Sequence, residues 1–488
     1  MKPGYLDFPP IVVLVCVAGA LAALPHGAVP APAAESAPPA PDWPQWRGPH
    51  RDGVALGAML PEAWPEKLPL RWRAPSGPGY STPVVTGGRV FFMERRGASE
   101  VVRALEADTG KEVWQTPYDA PYEAHAYAAR HGTCPKSTTT VTGGRVYSFG
   151  ISGILCALDA ATGKLLWKRD LGKEFGSMPL FGASASPLVE KTVENTVEKA
   201  VEKTGGKVVE KAVANAGENA AGKSGGDGVE EGLVILPVGH KESGGALMAF
   251  EVDTGEIAWR SVKDGPSYSS PIAVDLAGVR QVVALTAKHL VGVALAGGKE
   301  LWSYRIELPF DETIVTPMVW RERIILAGRS QGGTRALRLR RDGDSDSIVA
   351  EEVWKQAAPV YMTSPVISED LLFAVEHQTG KFFCLRLEDG SLAWKDGNFG
   401  DYASLVLAGK RILVLDSRGS LTVLAATADG LRKLGGSKVS DASTYAHLVV
   451  VGSRLYVRDE ERIQCFDFAR AAEDAGRGAT EGNPQENG

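Results

Sequence analysis

At 488 residues, with 44% hydrophobic, 8% aromatic and 23% charged residues, the chain has the make-up of a globular protein with a large core and not of a disordered one. That length would ordinarily divide into two or more domains unless a closed repeat architecture absorbs it, so repeats are the first thing to seek. A net charge of −6 excludes the footprint of a general nucleic-acid binder.

The N-terminus carries Lys2, an apolar run from Ile11 to Leu24 and an Ala/Pro-rich stretch to Ala34, the layout of a secretory signal peptide. The apolar run is 14 residues, short of the roughly 20 that span a bilayer as a helix, so no transmembrane span is expected in the mature chain. Cys16 lies inside that run behind Val13, Leu14 and Val15, which does not fit a lipoprotein cleavage site. The chain is expected to be exported, periplasmic or extracellular, with residues 1–34 as signal and 35–42 as linker.

Downstream, one pattern recurs: "ALEADTGKEVW" ending at Trp114, "ALDAATGKLLW" at Trp167, "AFEVDTGEIAW" at Trp259, "GVALAGGKELW" at Trp302 and "CLRLEDGSLAW" at Trp394. Each copy reads as a strand, a tight turn with Gly where positive φ is needed, and a second strand. Ser/Thr-Pro stands ahead of the first strand in five blades, at Pro83, Pro187, Pro271, Pro317 and Pro365, because Pro is tolerated where a strand starts and not inside a central one. The interval is 31 residues from Pro83 to Trp114 and from Pro271 to Trp302, and 29 from Pro365 to Trp394, but 72 from Pro187 to Trp259. The excess marks residues 190–231, rich in Val, Glu, Lys, Gly and Ala and without aromatics, as a low-complexity insertion in blade three.

Weaker copies start blade two at Thr140, blade seven at Ala403 and blade eight at Ala446. Blade eight has no Trp strand of its own, and "LPLRWRA" around Trp72 supplies one, so the N-terminal strand is expected to close the ring and leave no open edge. Eight blades of about 43 residues suit four-stranded propeller repeats. The expected fold is all-β, an eight-bladed β-propeller over residues 43–468 with a disordered tail at 469–488.

The mature chain has Cys134, Cys156, Cys384 and Cys465, and the last three open the same repeat segment ("CALDAATG", "CLRLEDG", "CFDF"). Equivalent places in non-adjacent blades suit a buried small apolar role better than a disulfide.

The "A-x-D-x-x-T-G-K-x-x-W" pattern resembles the tryptophan-docking repeat of pyrroloquinoline-quinone (PQQ)-type propellers, and "DWPQWRGPHRDG" from Asp42 to Gly53 resembles the entry of exported bacterial proteins built on that repeat. The resemblance spans Asp42 to Phe468 and implies that Trp72, Trp114, Trp167, Trp259, Trp302, Trp354 and Trp394 pack between neighbouring blades. Quinoprotein dehydrogenases of this architecture hold the quinone over the axis with Ca²⁺ and a carboxylate or His base, and the alcohol dehydrogenases add a disulfide between adjacent Cys residues. This sequence has no adjacent Cys pair, no C-x-x-C-H and no run that matches the family's cofactor or metal motifs. It is more similar to the noncatalytic outer-membrane assembly scaffold type, although that type's lipidated Cys has no counterpart here.

A Tyr precedes the first strand in five blades, at Tyr80, Tyr268, Tyr361, Tyr402 and Tyr445, which suggests a ring that either plugs the blade tops or rims a ligand. Loops of the same face carry His125, His131, Lys136, His240, Lys288, Arg329 and His377, so the candidate ligand-binding residues at the channel mouth are these with Tyr268 and Tyr361. His131 and Cys134 have a metal-like spacing but lack a carboxylate partner, and no metal site or catalytic residue is expected. The function expected is a noncatalytic binding or scaffold protein that docks a protein or a small anionic ligand, without nucleic acid and without a cofactor. The alternative is a PQQ- and Ca²⁺-dependent oxidoreductase, or another enzyme with its site at the channel mouth.

Overall fold

A computed structural model describes residues 41–175, 179–191, 232–239, 247–262, 264–306, 312–329, 332–343 and 347–469. The apolar N-terminal run, His240, residues 192–231 and the tail beyond 469 lie outside the described residues.

Alternating apolar residues, turn glycines and strand-opening prolines give eight antiparallel four-stranded sheets arranged as a propeller. Blade one runs Val84–Thr86, Arg89–Arg96, Ser99–Glu106 and Glu112–Asp119, and the next six blades repeat that order. Five inner strands open one residue after a Pro, at Val84, Leu188, Ile272, Met318 and Val366. In blade three the inner strand Leu188–Lys191 continues into the segment read as insertion, and Lys191 stands opposite Gly232 across the ladder. The blade is therefore a complete sheet without the residues between them.

Blade eight is Val449–Val451, Arg454–Arg458 and Arg462–Asp467 completed by Leu70–Pro75, which pairs antiparallel with the third of these from Leu70↔Phe466 to Pro75↔Arg462. The two ends of the folded chain thus share one sheet, and closure removes the free edge that the last blade would otherwise present.

Between blades the outer-strand Trp of one sits on the turn of the next. The Trp114 indole N–H donates to Ala160 O at 3.1 Å, and Trp72 donates to Ala107 O at 2.9 Å. Gly163 and Gly110 hold those turns at φ +74° and +71°, where a Cβ would meet the Trp114 or Trp72 ring at 2.5 Å. Only Gly fits on both counts. Trp302 departs from the scheme. It is buried, but its N–H donates to Gln281 Oε1 of its own blade at 2.6 Å. In blade five, which follows it, the last two strands, Gly333–Arg341 and Ile348–Gln356, are longer than those of the other blades.

A second tie lies nearer the axis, where hydroxyls just ahead of the inner strands accept backbone N–H groups of neighbouring blades. Thr82 N donates to Thr138 Oγ1 (3.2 Å), Thr138 N to Ser186 Oγ (2.9 Å), Ser186 N to Ser270 Oγ (2.9 Å) and His447 N to Thr82 Oγ1 (3.1 Å). The Ser/Thr of the Ser/Thr-Pro signal is thus an inter-blade link as well as a strand start.

The inner strands face the axis with unpaired backbone groups, and the segment from Trp43 to Val54 satisfies many of them. Trp43 pairs with Val85 of blade one and Val54 with Leu407 of blade seven, while Val141 N of blade two donates to Pro44 O at 2.8 Å. Arg51 reaches Pro187 O, Ser186 O (3.3 Å) and Pro271 O (2.9 Å) of blades three and four. Arg47 reaches Pro365 O of blade six, and Trp46 donates to Thr316 Oγ1 ahead of blade five at 3.0 Å. Seven blades are pinned by one stretch of twelve residues, "WPQWRGPHRDGV".

Candidate functional site

Antiparallel pairing puts the loops that enter each inner strand, and those between the second and third strands, on one face. Tyr268, Tyr361, Tyr402, Tyr445 and Tyr80 all stand on entering loops. Tyr80 and Tyr402 each meet Tyr445 with ring centroids 5.5 Å apart, and the Tyr402 hydroxyl donates to Tyr445 O at 2.6 Å. Tyr80 N donates to Pro135 O at 2.8 Å, joining this arc to the blade one-to-two loop.

From that loop His131 meets Phe181 at 5.2 Å, and Phe181 meets Tyr268 at 5.8 Å. Lys136 Nζ donates to Phe181 O at 2.8 Å. Opposite them, Tyr361 packs on His377 at 4.8 Å and beneath the Arg329 guanidinium at 4.9 Å. Arg329 pairs with Glu312, which is 6% exposed and also hydrogen-bonds Tyr361, and whose charge acts on His131, Tyr268 and His377.

Of the candidates read from the sequence, His131, Lys136, Tyr268, Arg329, Tyr361 and His377 therefore stand around one mouth. His125 stands apart: it is exposed, stacks on Tyr127 at 5.4 Å and caps the short turn Ala126–His131. Lys288 is exposed on the blade four turn, where its backbone N–H bonds Asp264, and joins none of the cluster's ring contacts, ion pairs or hydrogen bonds. Neither converges on the mouth, because each sits at a loop tip turned to solvent. His240 lies outside the described residues.

Glu312 is what sequence reading missed. A lone Glu in "FDETIVTP" carries no motif, and only the fold sets it against Arg329. The Arg329 guanidinium is thereby matched by a carboxylate, while the Lys136 ammonium bonds a carbonyl, Phe181 O.

Burial pushes the Tyr80, Tyr268 and Tyr361 phenols up to about 12 and raises the Cys134 thiol. Burial, then the charges of Lys136 or Arg329, lowers His131 and His377, which stay neutral below the usual histidine range.

At the channel floor, His447 is 2% exposed, lies edge-on to Trp46 at 4.9 Å, and is lowered to about 3 by burial and then the Arg47 charge. A histidine neutral in the folded chain and free to protonate in the unfolded one draws protons into the unfolded state. Its contribution is complete above about pH 6.5 and is lost as pH falls towards 3, at about 1.4 kcal/mol per unit. The protein is expected to be about 2 kcal/mol less stable at pH 5 than at pH 7, with a flatter profile for His447→Phe. Urea melts of both proteins across this range check it, and parallel profiles would assign the acid loss elsewhere.

A quinone–Ca²⁺ pair finds no fit in these residues. Among the described residues no three His, Cys, Asp or Glu side chains are placed to hold a metal ion, and the axis is filled by Trp46, Arg47 and Arg51. No helix among the described residues is long and apolar enough to cross a membrane.

A family model described as outer membrane protein assembly factor BamB matches residues 69–189 and 98–396. The BamB of Yersinia pestis is 23% identical over 433 residues, covering 84% of this chain and 85% of that protein. Among solved structures, BamB from Moraxella catarrhalis aligns with a TM-score of 0.52 at 15% identity, over 79% of this chain and 94% of that one. A europium-containing methanol dehydrogenase aligns with a TM-score of 0.57 at 13% identity, over 86% and 89%. At such identities the two structures share the fold, and the fold alone, with this chain.

Proposed function

The chain belongs to the PQQ_2 family, described as that of outer membrane protein assembly factor BamB, and on that footing we propose that it is an exported, noncatalytic scaffold that docks a protein partner on the mouth face of its propeller. The observation that supports this most directly is the make-up of that face. Its entering loops expose Leu180 (41%), Met362 (38%) and Tyr445 (40%) around a mouth whose Arg329 and Glu312 neutralise one another. Exposed apolar and aromatic groups rimmed by paired charges suit a protein surface, where a few desolvated anchors carry most of the affinity. Of the other exposed apolar side chains, Val113, Leu165 and Leu392 lie on the outer strands of separate blades, and Leu56 and Met59 on the segment that follows Val54. The same rim serves a small anionic ligand less well, because its guanidinium already has a carboxylate.

Capture of a discrete partner from a bacterial envelope extract tests the reading. Met362→Glu with Tyr445→Ala is expected to cut recovery roughly thirtyfold, the effect of losing about 2 kcal/mol at anchor positions, with unchanged melting. Equal recovery by wild type and variant would remove the mouth face as the docking surface. Absorbance after addition of quinone and Ca²⁺ separates the oxidoreductase alternative.

A further inference from the structure

Trp46, Arg47 and Arg51 fill the axis at the level of Thr316, Pro365 and Pro271, just ahead of the inner strands of blades five, six and four. On the side of that layer remote from the mouth the filling is incomplete. A cavity of about 310 Å³ lies between the axial segment and those three strands, with Val54, Ile272, Val274, Met318 and Ile367 on its walls. Val274, Val319 and Ile367 are partly exposed and His50 is exposed, so the cavity communicates with solvent. Its polar side chains all come from the axial segment: His50, Arg51, whose guanidinium is taken up by backbone carbonyls, and Asp52, whose Oδ1 accepts Val54 N at 2.9 Å.

The strands themselves contribute backbone. In blade five a two-residue turn joins Trp320 to Arg323, which makes Trp320↔Arg323 the hydrogen-bonded pair and Val319↔Ile324 the pair whose N–H and C=O groups point away from each other. The Val319 groups therefore face the axis, and the same alternation turns Ile367 of blade six and Ala273 of blade four that way. Val85 and Leu407 hold this register position in blades one and seven, and there the axial segment pairs with them as an extended chain. Val85 exchanges bonds of 2.9 and 2.7 Å with Trp43, while Leu407 N donates to Gly53 O at 2.9 Å and Leu407 O accepts Ala55 N at 2.8 Å. Among the described residues the axial segment makes no such backbone bond to Ala273, Val319 or Ile367. Free strand-edge groups between apolar walls are matched by a backbone that carries apolar side chains. Water would satisfy the groups but not the walls.

We propose that this end of the channel takes a short, extended, uncharged peptide segment of another protein, added as a strand along the inner strand of blade five. Blade five is the middle one of the three, so a strand paired with Val319 has the walls of Val274 and Ile367 on its two flanks. The segment would do in blade five what Trp43 and Gly53 to Ala55 already do in blades one and seven. Arg51 and Asp52 bring one charge of each sign to the cavity, so it gives no advantage to a charged segment. The site is separate from the mouth around Glu312 and stands whether or not that face docks a partner.

The test uses the full mature chain and a fluorescein-labelled, end-blocked peptide of alternating valine and serine, read by fluorescence polarisation. Saturable binding is expected. Methylation of every backbone nitrogen of the peptide, which removes its N–H donors and keeps its side chains, should weaken binding roughly tenfold, the loss of one hydrogen bond. Val274→Glu puts a carboxylate on an apolar wall and should weaken binding by a comparable factor, with little change in melting because Val274 is partly exposed. Val319→Pro is a second variant, since it removes the N–H that faces the axis and no ladder bond, and it should act likewise. Met362→Glu with Tyr445→Ala, at the mouth, should leave the affinity for this peptide unchanged. Absence of saturable binding, equal binding of the methylated peptide, equal binding by Val274→Glu, or a loss in the mouth variant would overturn the site.

Discussion

A chain that begins at Ser81 is expected to lose its cooperative thermal transition and to aggregate. Without Leu70–Pro75 the strand Arg462–Asp467 becomes an edge, since its pairing from Leu70↔Phe466 to Pro75↔Arg462 is gone. Gly110 of blade one also loses the Trp72 ring that covers it. An unpaired edge in a ring of blades is a template for intermolecular pairing. The same truncation removes Trp43 to Val54 and so exposes inner-strand groups in seven blades at once. Far-ultraviolet circular dichroism melts with size-exclusion chromatography decide it, and a truncated monomer melting with the full mature chain would show that closure lies elsewhere.

Arg51→Met is expected to destabilise the protein by about 3 kcal/mol. Two effects oppose each other. Removing a fully buried guanidinium, which burial lowers to about 9, relieves a desolvation cost, and replacing buried ions by apolar groups is often neutral or favourable. Of its partners, Pro187 O keeps the Thr140 hydroxyl at 2.6 Å, but the carbonyls of Ser186 and Pro271 and the Gln45 Oε1 stay in place without a donor when the side chain is changed. Each buried acceptor left without a donor costs about 1–3 kcal/mol, and three of them outweigh the relief. Urea denaturation measures the difference. A neutral result would mean that these carbonyls find water along the axis and that the arginine is dispensable for holding blades three and four.

How much of this was legible beforehand follows from the range of each interaction. The eight blades, the closing strand at Trp72 and the extra residues of blade three are written in local signals that repeat about every 43 residues. A Pro opens a strand, a Gly turns it, a Trp ends it, and each works through φ, a missing N–H or ring size within a few positions of itself. Family membership rests on the same repeated pattern, and the matched region spans most of the blades. The five tyrosines were visible for that reason as well, since they recur at one register.

What only the tertiary structure decided lacks a period. Glu312 faces Arg329 across a loop, Trp46 bonds Thr316 across 270 residues, and Arg51 meets three carbonyls more than a hundred residues away. Backbone carbonyls leave no trace in side-chain identity, so nothing in "WPQWRGPHRDGV" states which strands it will pin. Lys288 and His125 show the converse, because topology assigns a loop to a face while the side chain's direction depends on the local turn. The sequence by itself determined the propeller and its closure, through conformational preferences that act over a few residues. Packing decided the charge balance of the mouth and the filling of the axis, because both depend on groups that only a closed ring brings within hydrogen-bond distance.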